Sequence, residues 1–377
     1  MKPKQIIILS VIFGILALGI LLKSWVRSAG DNAGSALGGR VALAEFDPVR
    51  LERIRLGRGT QSAAVELAKE NGIWKVKSLW DATADPVKVE NLIQKLRSAQ
   101  GELRGSGKKL LADFGIQDTE AFSIKLFGTG NVLLEDLRVG TKQAGEADYF
   151  IRKAASEDVY LVGVNIAELL GIYGASNETA PPGLFWADLS LFNLEPEKVT
   201  KITVYLLKGE EKTMIAGLER VIDPKDSLKS FWKFLRKDMT ASLDSGKVQK
   251  FIAAMNSARA EKVVDPGGKG YGVEKPVWQL AVTEEGKKVL LNAGPVDEKG
   301  GLVYVKSSGD PAIFSLQASF FNDLNVDDTH FLKDVPPAAE SQKSSPESLS
   351  SGMLEEQKQV ASETAEAGLA DGQGQAV

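Results

Sequence analysis

The side chains that could carry chemistry in this sequence are few, and the single histidine is the most conspicuous. His330 follows Asp327-Asp328-Thr329, and an imidazole beside two carboxylates could hold a metal ion or act as a base. The sequence has no cysteine, which excludes thiolate sites and cysteine nucleophiles, and no Gly-x-Ser-x-Gly turn that would support a serine hydrolase. We interpret His330 as a solvated residue near the end of the fold, and we predict no catalytic or metal-binding residue.

Three glycine-containing loops resemble parts of nucleotide-binding motifs. Gly105-Ser106-Gly107-Lys108 and Ser245-Gly246-Lys247 lack the earlier glycine of a phosphate loop, because Glu102 and Ala241 occupy that position. Gly128-x-Gly130 lacks the third glycine of a dinucleotide fingerprint. We therefore interpret Gly128-x-Gly130 as a hairpin turn, and we expect no phosphate loop and no cofactor.

Tryptophan residues are candidates for a binding surface, because aromatic side chains are enriched in protein interfaces. Trp74 and Trp232 occupy matching positions of an internal repeat and are expected in the core. Trp80 and Trp186 lie near breaks in the pattern, and we predict that they form a partner surface, with packing between the repeats as the alternative. Paired carboxylates of the hydrolase type also stay open, because the 50 acidic residues offer many pairs.

The N-terminal region contains an apolar run from Ile6 to Leu22, preceded by two lysines and followed by Lys23. With its interfacial neighbours, this run is long enough to cross a hydrocarbon core of about 30 Å. The prediction is a transmembrane anchor over residues 6–26, with residues 1–5 cytoplasmic. A cleaved signal peptide is the alternative, but the small residues of Ala42-Leu43-Ala44 lie far beyond the apolar run.

Two segments have the composition of linkers. Residues 27–45 are rich in glycine and alanine, which is typical of a flexible spacer. Residues 333–377 are rich in Ser, Glu, Gln and Ala and carry more acidic than basic residues, which predicts a disordered acidic tail. The whole chain has 46 basic and 50 acidic residues, a balance that argues against a nucleic-acid partner.

The strongest signal is a duplication. Trp74-Lys75-Val76 matches Trp232-Lys233-Phe234, and each is followed by an aspartate suited to cap a helix, Asp85 or Asp244. Apolar residues then recur at helical spacing, which predicts one buried stripe in each copy: Val89, Leu92, Ile93 and Leu96, and Val248, Phe251, Ile252 and Met255.

Matching strand patterns follow both helices. Phe114-Gly115-Ile116 matches Tyr271-Gly272-Val273, and Val139-Gly140 matches Ala293-Gly294, each ahead of or within alternating runs. Each copy also starts with a hairpin, the first turning at Asn71-Gly72 and its counterpart at Lys208-Gly209-Glu210.

The prediction from these patterns is an α+β fold of two tandem repeats, each a hairpin, a helix and an antiparallel β-meander, after one N-terminal transmembrane helix. The repeats span residues 46–175 and 192–332, with a connector over residues 176–191. The pattern leaves open whether they share a sheet, and we expect two adjacent domains.

The order and spacing of these features resemble a bacterial family catalogued as domain of unknown function 4340. The features are the anchor, the Trp-Lys-Val strand, the helix start Ala84-Asp85-Pro86-Val87-Lys88-Val89 and the Phe/Tyr-Gly-Ile/Val turn. The resemblance implies a membrane-tethered, extracytoplasmic protein associated with ABC-type transport systems of the gliding-motility kind. It supplies no catalytic residues.

We therefore predict a non-catalytic accessory or binding subunit, anchored once in a bacterial inner membrane with most of the chain periplasmic or otherwise extracytoplasmic. The expected partners are the permease and ATPase subunits of an ABC transporter. ATP hydrolysis would come from those partners, because this chain has no phosphate loop. The alternatives are a module that binds cell-envelope glycans and a carboxylate-based hydrolase.

Overall fold

The computed structural model describes residues 40–60, 63–143, 148–173, 179–236, 242–297 and 301–334. No helix within these ranges is both long and apolar enough to cross a membrane. The predicted anchor over residues 6–26 lies outside the described residues, as do most of the predicted linker and nearly all of the predicted tail.

The first half of the chain forms a ten-stranded antiparallel sheet, which we call the first sheet. Its strand order is β1-β6-β10-β9-β8-β7-β2-β3-β4-β5. The strands are β1 Val41–Ala42, β2 Leu51–Arg58, β3 Val65–Glu70, β4 Ile73–Val76, β5 Ala82–Thr83, β6 Gln100–Ser106, β7 Phe122–Gly128, β8 Leu133–Gln143, β9 Tyr149–Lys153 and β10 Asp158–Val162. Its helices are α1 Pro86–Ser98, α2 Ile166–Leu169 and α3 Gly183–Trp186.

The second half forms an eight-stranded sheet, the second sheet, with the order β13-β12-β11-β15-β16-β17-β18-β14. The strands are β11 Val199–Lys208, β12 Glu211–Asp223, β13 Asp226–Phe234, β14 Lys262–Val264, β15 Trp278–Glu284, β16 Lys287–Asp297, β17 Leu302–Ser307 and β18 Ile313–Gln317. Its helices are α4 Ser245–Ser257 and α5 Ala318–Asn322, and a 3₁₀ turn follows at Asp328–Phe331.

The eight strands of the second sheet follow the same order as β4-β3-β2-β7-β8-β9-β10-β6 of the first. Each of the matched Phe/Tyr-Gly turns packs its aromatic ring against a second one. The rings of Phe114 and Phe150 are 4.5 Å apart, and those of Tyr271 and Tyr304 are 4.6 Å apart. Gly140 lies where the backbone of the first loop crosses β8, so that a Cβ there would be 2.7 Å from the Phe114 carbonyl oxygen. The two sheets therefore share both their strand order and the packing at the matched turns.

The predicted α+β class, in which a hairpin, a helix and a β-meander make up each repeat, is wrong. The chain is mostly β, with two large antiparallel sheets. Strand pairing explains the difference, because β2 pairs with β7 through Ile54 and Leu126, so that strands before and after the helix merge into one sheet. β11 and β15 pair in the same way.

A strand missed in the sequence also shifted the predicted hairpins. β2 precedes the hairpin that turns at Asn71-Gly72, and its pairing with β7 contains a bulge between Leu51 and Arg53 that interrupts the alternation. In the order of the sheets, β2 corresponds to β11 and the hairpin β3–β4 to β12–β13. The sequence pattern matches the hairpin β11–β12 to β3–β4, whereas in the sheets β11–β12 corresponds to β2–β3. The predicted match is therefore displaced by one strand.

Both long helices bury their predicted stripes and begin at aspartate caps. The Asp85 carboxylate accepts hydrogen bonds from the first turn of α1, and Asp244 does the same for α4. A later segment of the chain bonds to the cap at the N-terminal end of each helix. The Asp85 N–H donates to the Trp186 carbonyl and the Asp244 N–H to the Phe331 carbonyl, each at 2.8 Å. We call residues 183–187 and 328–332 the closing segments.

The two sheets meet through the chain that follows the first closing segment. The N–H of Asp188 donates to the Thr83 carbonyl in the first sheet, and the N–H of Leu191 donates to the Ala258 carbonyl after α4. The Thr83 N–H also donates to the Asp310 carboxylate at 2.9 Å. One continuous hydrophobic cluster contains buried residues of both sheets.

Candidate binding cleft

A cleft of 560 Å³ lies on the outer face of the first sheet, opposite the face that packs on α1. Along β2, β3, β7 and β8, apolar side chains alternate with charged ones, so the apolar set is buried and the charged set faces outward. The cleft is lined by Arg55, Gly59, Thr60, Ala63, Glu66, Asp118, Ser123, Lys125, Phe127 and Arg138.

Strand register places the charged groups in a row. Arg55 lies opposite both Glu66 and Lys125, and Lys125 lies opposite Asp136. The Arg55 Nε donates to the Glu66 carboxylate at 2.8 Å, and the Lys125 Nζ is 3.7 Å from Asp136. The two pairs of opposite charge stabilise strand pairing and fix the positions of the side chains, whereas Arg55 and Lys125 bring two positive charges together on β2 and β7.

The floor of the cleft contains an aromatic ring. Phe127 is only 9% exposed, and the Arg55 guanidinium carbon lies 5.3 Å from the ring centroid. Contact with the ring face, together with the Glu66 bond, holds the Arg55 head group in one place. The cleft thus presents a cation whose position is set before any ligand arrives.

Asp118 reaches the cleft from the loop that precedes β7. A small separate cluster of Ile116, Ala121 and Val159 anchors this loop. The guanidinium of Arg152, which is 3% exposed, donates to the Asp118 carboxylate at 2.7 Å and to the Ile116 carbonyl at 3.2 Å. A buried arginine therefore fixes both the loop and its carboxylate.

The electrostatics of Asp118 follow from these contacts. Desolvation is the largest single contribution and raises the pKa of its carboxyl, but the hydrogen bonds and charges of Arg138 and Arg152 together outweigh it. The pKa of Asp118 consequently lies below its usual value. A carboxylate that is held ionised in this way suits recognition of a cation better than donation of a proton.

A family model described as Domain of unknown function (DUF4340) matches residues 74–229 and 232–336. The chain belongs to the DUF4340 family. The two matched segments are consistent with a duplicated domain, and they confirm the resemblance inferred from the sequence. No curated protein and no solved structure matches the chain.

The two tryptophans predicted to face a partner have different environments in this DUF4340 chain. Trp80 is 40% exposed, and its backbone is left-handed with a φ of 51°, which is unusual for a bulky residue. Trp186 is fully buried in the first closing segment, where its ring meets that of Phe185 edge-on. Trp186 therefore presents no exposed side chain to a partner, the partner surface stays a prediction for Trp80, and neither tryptophan lines the cleft.

His330 lies in the second closing segment, outside the cleft. It is exposed, and its ring packs edge-on against those of Phe331 and Phe251. Its neighbour Asp327 accepts a hydrogen bond from the Thr329 hydroxyl, which is the main reason that the pKa of Asp327 lies below its usual value. Among the described residues no group of three His, Cys, Asp or Glu side chains is placed to hold a metal ion.

The residues that line the cleft are not predicted as a site from the sequence alone. Their signal was present in the alternation Arg53-Ile54-Arg55-Leu56 and Ile124-Lys125-Leu126, whose apolar positions predict a half-buried strand. The charged positions of such a strand become a site only when strands distant in sequence are paired, as β2 and β7 are here.

Proposed function

We propose that this chain is a non-catalytic, membrane-anchored accessory or binding subunit on the extracytoplasmic side of a bacterial inner membrane, associated with an ABC-type transport system of the gliding-motility kind. The charged cleft on the first sheet is its recognition site. Membership of the DUF4340 family supports the association, because the resemblance implies it, and the apolar run Ile6–Leu22 supports the anchor.

The observation that carries the binding role is the construction of the cleft. Two cations, Arg55 and Lys125, lie side by side on the central strands, and the carboxylates of Glu66 and Asp136 on the flanking strands pair with them. Together with the Arg138–Asp118 pair, they give a fixed pattern of charge on an open surface. Such a pattern favours a partner with complementary charges, since complementary potentials set the specificity of an interface.

A glycan-binding role is the second candidate, and exposed Trp80 favours it, because an exposed aromatic marks a sugar-binding or protein-binding surface. A carboxylate hydrolase is less well supported. Its general acid needs a raised pKa, whereas Asp118 in the cleft has a lowered one.

The test is purification of the tagged full-length protein from native membranes in mild detergent, followed by mass spectrometry of the proteins recovered with it. We expect permease and ATPase subunits with the wild type. The double variant Arg55→Ala/Lys125→Ala should recover about tenfold less of them, equivalent to about 1.4 kcal/mol of binding. Replacing residues 1–27 with an unrelated anchor tests the contribution of the membrane segment.

The matched control is Lys95→Ala/Arg97→Ala, which removes the same charges from the exposed side of α1. It should recover partners as the wild type does. Equal recovery with the cleft variant would remove the cleft from the proposal. If the wild type is recovered alone and is retained on peptidoglycan resin, with retention lost in Trp80→Ala, the glycan-binding role takes its place.

A further inference from the structure

The second sheet ends in a strand with an open edge. β13 pairs with β12, and within the described residues no strand pairs with its other side. The corresponding strand of the first sheet, β4, is only four residues long, and β5 covers it through Lys75 opposite Thr83 and Val76 opposite Ala82. An open edge presents unpaired backbone N–H and C=O groups at every second residue.

The hairpin of β12 and β13 also extends beyond its neighbour. The pairing of β12 with β11 ends at Glu219 opposite Lys201, whereas its pairing with β13 continues from Arg220 onward. Both sides of this extension are accessible: Ile222 is 67% exposed and Phe231 is 47% exposed. The aromatic side chain is therefore held in solvent beside unpaired backbone.

Side chains on one face of β13 form a regular pattern. Lys229, Phe231 and Lys233 alternate along the strand, and the two lysine side chains are 75% and 50% exposed. They pair with Asp226 and Glu219 at 3.0 and 3.3 Å. Exposed ion pairs of this kind contribute little stability, so a carboxylate of another chain can replace either one at small cost.

We propose that the edge of β13 accepts an extended segment of another protein as a ninth strand of the second sheet. That segment carries acidic residues beside Lys229 and Lys233 and an apolar residue beside Phe231, in the pattern acidic-x-apolar-x-acidic. Backbone hydrogen bonds supply affinity in such strand addition, and the alternating side chains supply specificity. This interaction is separate from the cleft, and it does not depend on the transporter association.

Charge argues against a second copy of this chain at the same edge. In the antiparallel register that places Phe231 opposite itself, Lys229 would lie opposite Lys233 of the second copy. Like charges directly opposite each other destabilise a strand pair.

The experiment is hydrogen exchange with mass spectrometry on the full-length protein in detergent, with two synthetic probes. The first is the peptide Thr-Thr-Glu-Thr-Val-Thr-Glu-Thr-Thr, and the second has lysine in place of both glutamates. We expect the first peptide to slow exchange over residues 229–233 about tenfold and the second to leave it unchanged. No slowing with the first peptide, or equal slowing with both, overturns the proposal.

A charge-reversed variant provides an independent test. Lys229→Glu/Lys233→Glu should lose protection by the glutamate peptide and gain it with the lysine peptide, a gain that a misfolded protein cannot produce. The control Lys287→Glu/Lys288→Glu makes the same charge change at the exposed start of β16 and should behave as the wild type. Failure of the specificity to reverse in a variant that melts normally overturns the proposal, as does a dimer whose β13 is protected without peptide.

Discussion

The outer faces of the two sheets differ sharply, although the strands that carry them pair in the same register. In the first sheet, the row across β3, β2, β7 and β8 consists of Glu66, Arg55, Lys125 and Asp136. The same row across β12, β11, β15 and β16 consists of Gly217, Thr203, Ala281 and Leu290. Glu66, Arg55 and Lys125 of the charged row line the cleft, whereas Thr203 and Ala281 are 4% and 2% exposed.

The strands β4 and β13, which occupy corresponding positions in the two sheets, also differ in whether another strand covers them. The first sheet covers β4 with β5, whereas no strand of the described residues covers the longer β13 of the second sheet. The shared strand order thus supports two surfaces with different chemistry, a charged face on one copy and an open strand edge on the other. Architecture sets where strands lie, and the outward positions of those strands remain free to diverge.

The largest expected effect tests whether the two sheets are one cooperative unit. Leu92→Ala and Phe251→Ala each remove a buried side chain from the stripe of a long helix, and each should cost about 3 kcal/mol or more of unfolding free energy. Because one hydrophobic cluster contains both residues, each variant should shift one common transition in calorimetry. Two separate transitions, each sensitive to one variant, would contradict a shared core.

The next effect compares the two glycines over which the aromatic loops cross. An added Cβ at Gly140 would be 2.7 Å from the Phe114 carbonyl oxygen, and at Gly294 it would be closer still to that of Tyr271. Gly140→Ala and Gly294→Ala should each cost about 1–3 kcal/mol, the second more than the first, in urea unfolding. Gly163→Ala is the control, because its Cβ would meet Asp148 at an ordinary 3.5 Å. If all three cost the same, the loops do not constrain these positions.

A smaller effect tests whether the closing segments are equivalent. The Nζ of Lys88 donates to the Phe185 carbonyl at 2.8 Å, and the Nζ of Lys247 to the Leu332 carbonyl at 2.7 Å. Lys88→Met and Lys247→Met should each cost about 1 kcal/mol by thermal denaturation, because each leaves a carbonyl without its donor. A cost in one sheet with none in the other would show that only one segment fastens its helix.

The smallest effect concerns the pH dependence that Asp118 gives to the first sheet. Because the pKa of Asp118 is lower in the folded state, its contribution to stability is present above the unfolded pKa of about 4. That contribution is lost as the pH falls through the lower folded pKa. Asp118→Asn should therefore be less stable than the wild type at pH 7, by less than about 1 kcal/mol because Asp118 is largely exposed. Near pH 2 the two proteins should be equally stable. A difference that persists at the acidic end would contradict this origin.

Sequence reasoning located what local spacing determines. The buried stripes of α1 and α4, their aspartate caps and the matched Phe/Tyr-Gly turns all depend on residues close together in the chain. The fold class was wrong because it depends on pairing between distant strands, such as Leu56 of β2 with Ile124 of β7. Prediction of the cleft requires the same pairing of distant strands. The burial of Trp186 depends on how the first closing segment returns to α1.

The short strand β1 determines how the fold would respond to mechanical load. Within the described residues β1 consists of Val41 and Ala42, which pair with β6 at the outermost edge of the first sheet, and Leu43 and Ala44 follow as buried residues. A pull on the chain before residue 40 therefore reaches β1 first and separates its two residue pairs before any longer strand is loaded. If the chain is tethered through its N-terminus, as proposed above, tension would act on this edge before it reaches the cleft or the edge of β13.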